Sequence, residues 1–161
     1  MAANREQLQM SVFDRLDQNV NEAILGGAIA DMDVVRAAVL RDVENLLNTR
    51  RTIEPPAEGF PHLERSLYTY GIDDFVAQNP KSGQVQKLLE ATIMETISRF
   101  EPRLKEVQVR LLPVDDYQPH LCFTVRATLI AEPLREPILF NTWFSAGRGE
   151  YKVDAHSKGG R

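Results

Sequence analysis

At Glu101-Pro102-Arg103 the hydrophobic period of this chain changes, from about 3.6 residues before it to about 2 after it. Proline cannot continue a helix, and the residue before it is pushed toward extended backbone. One side of this junction therefore predicts amphipathic helices and the other predicts strands. Helices first and strands afterwards predict an α+β domain, with two main helices packed on one face of a small antiparallel sheet formed by the C-terminal third.

Upstream, Val35, Ala38, Val39, Val43, Leu46 and Leu47 lie on one stripe of a helix expected from about Asp33 to Asn48. Asp31 and Asp33 suit its positive end, and Arg50 and Arg51 its negative end. A second helix is expected to start at Asn79-Pro80 or at Ser82. Its buried face is read as Val85, Leu88, Leu89, Ile93, Ile97 and Phe100. Downstream, Val107 to Leu111, Leu121 to Leu129 and Ile138 to Phe144 alternate as half-buried strands. The stretches from Pro113 to Pro119 and from Glu132 to Pro137 read as connections.

The domain boundaries follow. Residues 1–30 read as an arm, with Leu8, Val12, Phe13 and Leu16 at helical spacing before Gly26-Gly27. This arm either docks on the domain or orders on a partner. Residues 31–148 form the domain, and 149–161, rich in Gly and Lys, read as a flexible tail.

Composition narrows the function classes. The net charge of -4 argues against a general nucleic-acid binder. The single cysteine, Cys122, permits no internal disulfide. No apolar run approaches the roughly 20 residues that span a bilayer, and the polar start of the chain lacks a secretory pattern. His62, His120 and His156 have no ligand spacing, and no phosphate loop or nucleophile elbow is present, so neither a metal nor another cofactor is expected. Asp73-Asp74, Asp115-Asp116 and Glu101 are the carboxylates a glycoside hydrolase would need, although turn chemistry accounts for the doublets. Tyr68, Tyr70 and Phe75 read as core or as a binding surface.

Four segments resemble one family. Phe13-Asp14-Arg15-Leu16, the helix Arg41-Asp42-Val43-Glu44-Asn45-Leu46-Leu47-Asn48-Thr49-Arg50, the stretch Ser66-Leu67-Tyr68-Thr69-Tyr70-Gly71-Ile72-Asp73-Asp74-Phe75, and Phe100-Glu101-Pro102-Arg103-Leu104 look like motifs of type VI secretion baseplate subunits of the TssE class. That class is similar to phage baseplate wedge proteins once labelled lysozyme-like. The resemblance implies a structural, non-enzymatic subunit. Its expected partners are TssF, TssG and contractile sheath proteins, in a six-fold cytoplasmic baseplate docked on the inner-membrane complex. Alternatives are a phage-derived contractile particle and a peptidoglycan hydrolase.

The resemblance implies that Glu101, Pro102 and Arg103 hold the wedge together and that a sheet edge pairs with sheath strands. The arm adds Phe13 and Leu16 as candidate partner contacts. The strand from Ile138 to Phe144 is the expected edge, with Phe140 and, on the opposite face, Trp143 as further partner contacts. Arg103 has a competing role, a salt bridge to Glu101 within its own fold. A partner role predicts that Arg103→Ala leaves the isolated domain folded.

Overall fold

A computed structural model of the chain describes residues 32–52, 54, 59–60, 62–63, 66–73, 82–112, 120–145 and 148–155. The arm with Phe13 and Leu16, the Asn79-Pro80 start, Phe75 and the Pro113–Pro119 connection lie outside these residues.

Helix α1 spans Met32–Asn48 and buries Met32, Val35, Ala38, Val39, Val43, Leu46 and Leu47. This is the expected stripe, since positions three and four apart share a helix face. Helix α2 spans Gly83–Phe100 after the N-cap Ser82, and buries Leu89, Ile93, Thr96 and Ile97. Leu88, read as part of that face, is instead exposed. It sits one position before Leu89, about 100° away around the helix, and so points off the sheet.

Four strands follow: β1 Leu104–Leu111, β2 His120–Ala131, β3 Leu134–Ser145 and β4 Glu150–Ala155. They form one antiparallel sheet in chain order, β1-β2-β3-β4. Phe123, Val125, Leu129, Ile138 and Phe140 on its inner face make one core with Val39, Val43, Ile93 and Ile97 of the helices.

The strands depart from the sequence reading in three places. Residues 150–155, expected within a flexible tail, form β4. Tyr151 supplies the reason: it is buried and lies 4.8 Å, ring to ring, from Phe144. With β4 in place, β3 is an inner strand over Phe140–Ser145 and not the expected edge. The connection between β2 and β3 shrinks to Glu132-Pro133, and Pro137 is part of β3. Proline is tolerated there because, among the described residues, β4 pairs with β3 from Phe140 onward and no strand meets Pro137 on that side.

In β1 the register slips between Lys105 and Gln108, and Glu106 takes a positive φ of 55°. This bulge lets Leu104, Val107 and Val109 all face the core although Leu104 and Val107 are three residues apart.

Candidate partner-binding site

The corner between α2 and β1 is built by Glu101. It caps α2, donating its backbone N–H to the Ile97 carbonyl at 2.9 Å. Its backbone then leaves the helical region, as a residue before proline must. The Glu101 side chain is buried and holds Arg103: Nε donates to Oε1 at 2.7 Å and Nη2 to Oε2 at 2.8 Å. The Arg103 backbone N–H also points to Oε1, at 3.3 Å. Planar guanidinium and carboxylate match in this forked geometry. Pro102 stands exposed at the apex.

Arg103 also reaches α1. Nη2 donates its second proton to Asp42 Oδ2 at 2.6 Å. On the β side, the Arg103 carbonyl accepts the Ile130 N–H at 2.8 Å. One residue thus ties α1, the α2 terminus and β2 together. The hydrogen bond to Glu101 is the main reason that the guanidinium holds its proton far more tightly than usual; burial opposes this, and Asp42 adds to it. The two Nη1 protons donate to nothing among the described residues. Arg103 as a whole is half-buried.

Tyr70 lies beside this group. Its ring meets Phe100 edge-on at a centroid distance of 5.3 Å. Burial, then the charges of Asp42 and Glu101, push its phenol above the ordinary value. Gly71 brings the segment onto the end of α1 with a φ of 105°. Ile72 N–H donates to the Thr49 carbonyl at 2.9 Å and Arg51 N–H to the Ile72 carbonyl at 3.0 Å. Arg51, expected to complement the helix end, forks instead onto Asp73, through Nε at 3.0 Å and Nη2 at 2.8 Å. Leu67 and Tyr68 face solvent, while Tyr70 turns inward.

The candidate residues therefore separate. Glu101, Pro102 and Arg103 share one corner. Phe140 is fully buried, and its assignment as a partner contact is corrected: its side chain fills the core. Trp143 is half-buried on the outer sheet face, between Cys122 of β2 and Lys152 of β4. Asp42 joins the corner from 61 residues away, and no local spacing signals such a pairing. Only the motif around Arg41-Asp42 marked it.

The helix motif has a structural explanation as well. Glu44 accepts the Val153 N–H at 2.9 Å, and Asn48 pairs with both backbone groups of Tyr151. Of the carboxylates weighed for hydrolysis, the two among the described residues are both held by arginines. Glu101 is engaged by Arg103 and Asp73 by Arg51, while Asp74, Asp115 and Asp116 lie outside the described residues.

Residues 33–134 match the family described as baseplate wedge protein gp25. The chain belongs to that family. The TssE subunits it resembles are the type VI secretion homologues of gp25, and the matched span includes Asp42, Tyr70, Gly71, Glu101 and Arg103. No curated protein matches the chain. Its role is that of a structural baseplate component. Among the described residues, no helix is long and apolar enough to cross a membrane.

Proposed function

We propose that this subunit is the wedge component of a type VI secretion baseplate. It binds TssF and TssG through the Glu101-Pro102-Arg103 corner and offers a sheet edge from which the contractile sheath grows. It acts by binding and not by catalysis, in the cytoplasm, within a six-fold baseplate docked on the inner-membrane complex. The family match over residues 33–134 carries this reading. The geometry adds a division of labour within Arg103. Nε and Nη2 fix the fork to Glu101 and Asp42, and Nη1 is free to donate to a partner carbonyl or carboxylate.

The test is co-purification with TssF and TssG of the wild-type chain, Arg103→Lys and Arg103→Ala, with thermal unfolding of each. The lysine variant keeps the charge but loses the fork; it is expected to fold and to bind its partners less well. A folded lysine variant that binds as the wild type does removes Arg103 from the interface. A wild-type chain that captures neither TssF nor TssG overturns the secretion-system reading, and sheath proteins of a phage-derived particle are then the next partners to try.

A further inference from the structure

The backbone groups along the sheet's edges are not equally available. On β4 the outward N–H and C=O of Tyr151 pair with the Asn48 amide at 2.8 and 2.9 Å, and the Val153 N–H with Glu44 at 2.9 Å. Helix α1 thereby closes that edge. The stretch of β3 not paired with β4 contains Pro137, which has no N–H to offer.

The remaining edge is β1. Leu112 N–H donates inward to the Cys122 carbonyl at 2.7 Å, so by alternation Leu111 and Val109 direct their backbone groups outward. Leu111 N–H is taken by Glu90 of α2 at 2.7 Å. Val109 has no such cover: no side chain or backbone group among the described residues meets its outward N–H and C=O.

The flanking side chains define what fits. On the outer face Lys105, Arg110 and Arg126 are exposed and form no ion pair among the described residues, while the one carboxylate beside them, Glu106, accepts from the Thr128 hydroxyl at 3.0 Å. Three cations to one carboxylate, among the described residues, stand out in a chain of net charge -4. On the inner side Met94 is exposed and lies one helical turn from Glu90, on the flank of α2 that reaches the β1 edge. A strand laid against β1 would turn alternate side chains toward the cations and toward Met94.

From this geometry we infer that an extended segment of a partner protein, alternating acidic and apolar residues, adds to the sheet along β1 at Val109. Glu90 stops the pairing at Leu111. The inference rests on the reading that a sheet edge takes a partner strand, and it names the edge and the chemistry of that strand.

The experiment is amide hydrogen exchange on the full chain with a nine-residue peptide alternating Glu and Val, and with its Lys/Val counterpart. The Glu/Val peptide is expected to slow exchange at Val109 by at least about tenfold, as a new ladder hydrogen bond does. In the double variant Lys105→Glu/Arg110→Glu, whose changed side chains are exposed, the preference should pass to the Lys/Val peptide. Exchange unchanged at Val109, slowed equally by both peptides, or slowed at Tyr151 instead overturns the inference. Co-purification with TssF and TssG beside an unprotected Val109 sinks this inference and leaves the wedge reading. Protection at Val109 in a chain that captures neither partner does the reverse.

Discussion

Asn48 on α1 pairs with both the N–H and the C=O of Tyr151 on β4, at 2.8 and 2.9 Å. Its amide occupies the place a fifth strand would take. A helix whose sequence shows only one apolar stripe thus also closes a sheet edge with its polar face.

Asn48→Ala leaves two strand groups without their partner. The expected cost is about 1–3 kcal/mol, read from the urea midpoint, with faster amide exchange at Tyr151. Unchanged stability would mean that the β3 ladder, the Tyr151–Phe144 contact and Glu44 hold β4 without the Asn48 amide.

Arg103→Ala strands the buried Glu101 carboxylate and releases Asp42. Contrary to the expectation of an unaffected domain, stability should fall by about 1–3 kcal/mol, as for a lost charged hydrogen bond. Arg103→Lys should recover part of it. An alanine variant that melts with the wild type contradicts the corner geometry.

Gly71→Ala would place a Cβ only 2.3 Å from the Thr49 carbonyl oxygen, at a φ of 105°. The backbone conformation alone costs about 1–3 kcal/mol for a side-chain-bearing residue, and the clash adds to it. Thermal unfolding reads the effect directly. An alanine variant of wild-type stability would separate the Tyr70–Asp73 segment from the end of α1.

Thr142 is fully buried, and its hydroxyl finds no hydrogen-bond partner among the described residues. Thr142→Val keeps the shape and removes the unsatisfied group. A gain of about 1 kcal/mol is expected. A loss instead would mean that the hydroxyl is satisfied in solution.

Tyr70 holds its proton more tightly in the fold than in the unfolded chain, because burial and two nearby carboxylates disfavour the phenolate. Its contribution is complete below the ordinary phenol value of about 10 and is lost as pH rises through the folded value. Cys122, raised by burial, acts in the same direction from lower pH. Unfolding midpoints measured from pH 8 to 11 should decline, and less steeply in Tyr70→Phe. Equal slopes in the two proteins would exclude Tyr70 as a cause.

Local order in the sequence was enough for the helix α1 stripe, the end of α2 at Glu101-Pro102 and the inner faces of β2 and β3. Each depends on a period repeated over neighbouring residues, and burial of one face follows from that repetition. The resemblance located Glu101 and Arg103, and their mutual pairing needs only two residues of separation. Tertiary structure decided the rest. β4 is a strand because Tyr151 reaches a core that its own neighbours do not announce. β3 is an inner strand over Phe140–Ser145 because a fourth strand pairs with it there. Leu104 and Val107 share a face because of a bulge at Glu106, which no hydrophobic pattern signals. Asp42 meets Arg103, and Asn48 meets Tyr151, across 61 and 103 residues of chain. Periodicity records which way a side chain points within its own element. Which distant group it meets there depends on how the elements dock, because hydrogen bonds and ion pairs need contact distances that only the packed fold supplies.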